Sequence, residues 1–136
     1  MKYLPETTAE LQQLVRDENI KLSDIDISAI TDMSHLFQDS LREDFSGIET
    51  WNVSNVTNME CMFWNAKDFN ADISKWNVSN VKDMRFMFGF AKSFNGDISQ
   101  WDVSNVKNTD KMFTPSLKFY INKLFKKVLN HYLFKG

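Results

Sequence analysis

Tryptophans fall at positions 51, 76 and 101, and each opens the pattern Trp-(Asn/Asp)-Val-Ser-Asn-Val. The apolar positions that follow keep the same 25-residue phase: Met59 and Met84, then Met62, Met87 and Met112, then Phe63, Phe88 and Phe113. Ala66 and Ala91, Phe69 and Phe94, and Ile73 and Ile98 complete the register. Self-similarity at a fixed period of this length marks a repeat architecture, in which a unit buries its apolar side only against its neighbours. A worn copy comes first: Ile27-Ser28-Ala29-Ile30 aligns with Val53-Ser54-Asn55-Val56 at an offset of 26, and Met33, Leu36 and Phe37 follow in phase. Its loop is longer, eight residues from Phe37 to Phe45 against six from Phe63 to Phe69, which places it at one edge of the stack.

Within a copy the period changes. Val81, Met84, Met87, Phe88 and Ala91 share one face of a short helix, with Ser79 or Asn80 placed to cap its start. Residues 73–78 read as a short strand, with Trp76 and Val78 on one face and Lys75 and Asn77 on the other. The spacing Ile73, Trp76, Val78, Val81 approaches the leucine-rich-repeat skeleton. The predicted fold class is therefore α/β: a short solenoid of 25-residue leucine-rich-repeat-like coils, one short strand plus one short helix each, with a capping helix at either end. Residues 1–136 form a single domain on this reading. Its parts are an N-terminal helical cap (1–23), repeats at 24–48, 49–73, 74–98 and 99–113, and a C-terminal basic amphipathic helix at 114–136. Thr7 and Glu10 form a capping-box pattern ahead of the stripe Leu11, Leu14 and Val15. The expected core is Trp51, Trp76, Trp101, Met62, Met87, Phe63 and Phe88, with each Trp packed on the Trp of the next coil.

Charge sharpens this picture. The net charge of −2 is uneven: residues 1–113 carry 18 acids against 11 bases, whereas residues 114–136 carry five lysines and no acid. An acidic body argues against nucleic acid as a partner. The single cysteine allows no internal disulfide. No apolar run reaches the roughly 18 residues of a membrane span. The polar start carries no secretion-signal pattern, so the chain, if complete, reads as cytoplasmic.

The search for chemistry returns no catalytic set and no cofactor. His35 and His131 stand in unrelated contexts, and Cys61 occupies the slot of Phe86 with no evident histidine partner. Ligand count leaves no zinc site. Asn70 with Asp72, and Asn95 with Asp97, could hold calcium but suit turn stabilisation better. The Ser54, Ser79, Ser104 and Asn55, Asn80, Asn105 columns read as turn and cap residues. The outward columns Thr50, Lys75, Gln100 and Asn52, Asn77, Asp102 form the candidate binding face.

The phrases Phe-Asn-Gly-Asp-Ile-Ser-Gln-Trp-Asp-Val-Ser-Asn-Val at 94–106 and Met-Arg-Phe-Met-Phe at 84–88 resemble the BspA-like bacterial surface-protein repeat, also called DUF285 or PARCEL. The resemblance covers about residues 24–113. It implies a leucine-rich-repeat-like, surface-exposed or secreted bacterial interaction protein linked to adhesion. With no catalytic set in the sequence, the leading expectation is a non-catalytic module that presents its strand-lined face to a protein or glycan. The alternative is an intracellular structural or regulatory protein that binds a partner, or a membrane surface, through the helix at 115–134. The membrane ranks behind the protein or glycan.

Overall fold

The computed structural model describes residues 2–113, so the predicted C-terminal helix at 114–136 lies outside the described residues. Regular elements are few: α1 (Thr8–Arg16), 3-10 turns at Leu22–Asp24 and Ile48–Thr50, and isolated parallel bridges joining Tyr3 to Ile25, Asp32 to Asn58, Asn58 to Asp83 and Asp83 to Asn108. This overturns the expected α/β solenoid of strand-plus-helix coils. Among the described residues α1 is the only α-helix, and the bridges do not extend into a sheet. What repeats instead is a coil made of turns.

The segment expected to be helical shows why. Cys61 and Asn65 have φ of 55° and 57°, Phe86 and Phe90 of 56° and 55°, and His35 and Asp39 of 61° and 58°. A left-handed residue at every fourth position breaks any α-helix. The backbone donors then divide between two uses. Met59, Cys61, Phe63 and Asn65 donate to the carbonyls of Asp83, Arg85, Met87 and Gly89 in the next coil. Met62, Trp64 and Ala66 donate back three residues, to Met59, Cys61 and Phe63, while Glu60 donates to the Asn58 side chain. Every N–H from Met59 to Ala66 is thereby used, as buried backbone requires. The same accounting holds one coil earlier, where Met33, His35, Phe37 and Asp39 donate to Asn58, Glu60, Met62 and Trp64. Ser79 and Asn80 cap nothing: Ser79 N–H donates to Asn77 Oδ1, and Asn80 Nδ2 reaches Ser54 O at 2.7 Å.

The tryptophan leg carries no strand either. Turns close from Ile73 O to Trp76 N and from Val78 O to Val81 N, and residues 76–78 between them belong to no regular element. The indole links the coils in place of a ladder. Trp51, Trp76 and Trp101 donate Nε1–H to Leu22 O, Ile48 O and Ile73 O at 2.8, 3.2 and 3.0 Å. Ile48 O and Ile73 O also accept from the backbone N–H of Trp51 and Trp76, so each carbonyl serves two coils.

Burial follows the repeat, with Trp51, Trp76, Trp101, Met62, Met87, Phe63 and Phe88 all inside. The aromatic stacking runs through phenylalanine, where the sequence suggested Trp on Trp. Phe37, Phe63, Phe88 and Phe113 form one column with centroids 5.5–5.7 Å apart and planes within 5°. Phe69 and Phe94 form a second column, joined to the first at 3.8 Å (Phe63–Phe69) and 4.3 Å (Phe88–Phe94). Each indole lies against the first column, at Phe37, Phe63 and Phe88.

At the N-terminal edge, Thr7 caps α1 by accepting from Glu10 N–H, and the Glu10 carboxylate accepts from Glu6 N–H. Leu11 and Val15 face the core. The long loop of the first copy supplies Arg42, which is 4% exposed. Its guanidinium donates to the carbonyls of Val15, Asp17, Ile20 and Asp44 at 2.6–3.1 Å. It thus satisfies the carbonyls that end α1. Burial pulls the Arg42 pKa down, against the opposing pull of Glu18, Asp44 and Asp17.

Candidate functional site

Lys75 is exposed in the turn from Ile73 to Trp76, and Asn77 is exposed between the buried Trp76 and Val78. Thr50, Lys75, Gln100, Asn52, Asn77 and Asp102 are all exposed, in register on successive coils. Much of their hydrogen-bonding capacity is already engaged. Asn52, Asn77 and Asp102 accept, through Oδ1, the N–H of Ser54, Ser79 and Ser104 at 3.0–3.1 Å. These are Asx-turns, which fix the local chain. Thr50 Oγ1 donates to Gly47 O at 2.6 Å. The Asn70–Asp72 and Asn95–Asp97 corners are built the same way: Asp72 and Asp97 accept from Ser74 and Ser99, and Asn70 Oδ1 accepts Asn95 N–H. Hydrogen bonds from Ser74, side chain first and backbone second, hold the Asp72 carboxyl below the usual range. The Ser46 side chain and backbone do the same for Asp44.

The turn edge holds residues that the sequence reading passed over. Trp64 is half-buried and meets Phe90, 47% exposed, edge to face at 5.1 Å. Phe86 is half-buried one turn away, with Lys111 Nζ 5.9 Å over its ring. Beside them Arg85 is held by Asp83 at 2.8 Å and reaches Glu60 at 3.5 Å. Asn65 Nδ2 donates to Asp39 Oδ1 at 2.6 Å, leading to a groove of about 360 Å³ between α1 and the first coil. Val15, Leu36, Asp39 and the 88% exposed Leu41 line it. The signal was present: Trp64 is the tryptophan out of phase with the repeat, and Phe86 and Phe90 sit in columns otherwise occupied by His35, Cys61 and Lys111, and by Asp39 and Asn65.

The same edge corrects the isolation of Cys61. The 26-residue offset between the first two coils sets His35 directly before it, and His35 N–H donates to Glu60 O at 2.8 Å. A His35 ring nitrogen, a Glu60 carboxylate oxygen and the Cys61 sulfur all lie within 4.8 Å of one another. Burial pushes the Cys61 thiol up, the Glu60 and Asp83 carboxylates add to the rise, and Arg85 opposes it. That is the reverse of an activated nucleophile, which needs a lowered pKa.

No curated protein and no solved structure matches the chain. A family model described as "Mycoplasma protein of unknown function, DUF285" matches residues 7–126. That match takes in α1 and every turn-built coil described above, so the chain belongs to the DUF285 family.

Proposed function

We propose that this DUF285 domain is a non-catalytic interaction module that binds a protein partner along its turn edge. One observation carries the reading: the Trp64–Phe90 pair stands partly exposed on a backbone whose donors are committed from coil to coil. A repeated backbone presents side chains at fixed positions, and only the side chains change. Large aromatic rings beside an arginine are the composition of interface hot spots. Arg85, Lys111 and the adjoining groove at Leu41 extend the surface. The polar columns at Thr50, Lys75, Gln100, Asn52, Asn77 and Asp102 support this role less well, because Asx-turns occupy their asparagine and aspartate oxygens.

The test is a binding screen of the full chain on immobilised extracellular-matrix and serum proteins, with a glycan array in parallel. A hit is repeated with Trp64→Ala/Phe90→Ser and with Lys75→Ala/Gln100→Ala. The aromatic double variant should keep its unfolding midpoint within a few degrees and lose at least about tenfold in affinity. Loss in the polar variant alone, or binding to glycans only, overturns the reading.

A further inference from the structure

The His35, Glu60 and Cys61 cluster lies on the same turn edge as the proposed interaction surface, but its chemistry is of another kind and does not rest on that reading. The three side chains come from adjacent coils, yet the backbone bond from His35 N–H to Glu60 O fixes their spacing. His35 and Cys61 occupy equivalent left-handed positions, φ 61° and 55°, so their side chains leave the backbone in the same direction one coil apart. We infer that these residues form a binding site for a borderline divalent cation, of which Zn²⁺ is the type, bridging the first and second coils.

The donor set is imidazole nitrogen, carboxylate oxygen and thiolate sulfur, the mixture zinc prefers to calcium or magnesium. In a tetrahedral site with bonds of about 2.0–2.3 Å, ligand atoms stand about 3.3–3.7 Å apart. The widest separation, at most 4.8 Å, must therefore close by about an ångström, within reach of side-chain rotation. Gln38 Oε1 contacts His35 Nδ1; in the tautomer that donates Nδ1–H to it, Nε2 carries the lone pair a metal requires, and the contact orients the ring. Charge is favourable too. Glu60 and Asp83 against Arg85 leave the cluster one negative charge, and the Cys61 thiolate adds another when its proton departs to solvent and the sulfur–metal bond forms. A divalent ion balances both. Arg85 does not block the carboxylate, because Asp83 holds it at 2.8 Å and Glu60 only at 3.5 Å. Water completes the fourth position of a site that is half-exposed at Glu60 and Cys61.

Titration of the full-length reduced chain with Co²⁺, then Zn²⁺, tests the site. A sulfur-to-cobalt charge-transfer band should grow to one ion per chain and vanish when Zn²⁺ displaces it. His35→Ala, Glu60→Gln and Cys61→Ser should each weaken Zn²⁺ binding by about tenfold or more. His131→Ala, which removes the other imidazole of the chain, should leave binding unchanged. No thiolate band in the wild-type chain overturns the inference without recourse to variants. So does stoichiometric zinc binding that survives both His35→Ala and Cys61→Ser in folded protein.

Discussion

Replacing Trp76 by alanine removes the group that joins three coils at once. Its side chain is 5% exposed, lies 6.3 Å from the Phe63 ring, and donates Nε1–H to Ile48 O. A buried indole hides roughly 150–250 Å², which at about 25 cal/mol per Å² gives about 4–6 kcal/mol as an upper bound. Truncations of buried tryptophan to alanine typically cost about 3–5 kcal/mol. The hydrogen bond adds little, about 1 kcal/mol, because Ile48 O keeps the Trp51 N–H when the indole leaves. The expected loss is therefore about 4–5 kcal/mol, most of the stability of a domain at the lower end of the usual range of about 5–15 kcal/mol. Trp76→Phe keeps most of the apolar volume and loses the donor, so about 1–2 kcal/mol is expected. Urea unfolding followed by circular dichroism gives both values from midpoint and slope. A Trp76→Ala cost below about 1.5 kcal/mol would refute the reasoning, since the leg would then be held by something other than its indoles.

Three further perturbations probe other parts of the fold. Gly47 has φ +96°, and a Cβ there would stand 2.6 Å from the Ser23 backbone nitrogen, so Gly47→Ala should cost about 2–4 kcal/mol in thermal or urea unfolding; a neutral result would sink the close approach. Arg42→Met strips the carbonyls of Val15, Asp17, Ile20 and Asp44 of their guanidinium donor and should cost about 3 kcal/mol, with hydrogen-exchange protection falling first in α1. Unchanged protection of α1 would contradict that assignment. Asp26, Asp44 and Asp72 have lowered pKa values, so their stabilising contribution is complete above the ordinary aspartate pKa of about 3.9 and disappears as pH falls through the lower folded value. Asp72→Asn keeps the Oδ1 acceptor but not the charge, so the wild type should melt higher at about pH 6 and the gap should narrow towards about pH 2; a gap that widens in acid reverses the sign.

Much of the coil was legible in the sequence, but its backbone was not. The spacing of Val81, Met84, Met87, Phe88 and Ala91 encodes which side chains turn inward, and all of these are buried. A chain of turns with a left-handed residue every fourth position places side chains inward at the same intervals as a helix. What separates the two is the sign of φ. Asp39 and Asn65 are residue types that tolerate a positive φ, whereas Phe86, Phe90 and Cys61 are not. Composition therefore pointed the wrong way at the positions that decide. The strand failed for a related reason: Trp76 and Val78 alternate as a strand would, yet their cross-coil bond is made by an indole, which no strand pattern records.

Those unfavourable torsions bear on where function sits. A non-glycine residue in the left-handed region costs about 1–2 kcal/mol, so Phe86 and Phe90 would be poor choices if any residue sufficed there. The architecture imposes the torsion at each equivalent position, as His35, Asp39, Cys61, Asn65 and Lys111 share it. Identity at these positions is consequently free of the core, because their side chains leave the stack rather than enter it. The two groups proposed to act, the Trp64–Phe90 pair and the His35–Glu60–Cys61 cluster, both draw on these positions. A repeat-matching reading discounts them because they depart from the consensus. In a stack of this kind departure from the consensus at an outward, conformationally fixed position is the feature that distinguishes one coil from the next, and the two proposals rest on it.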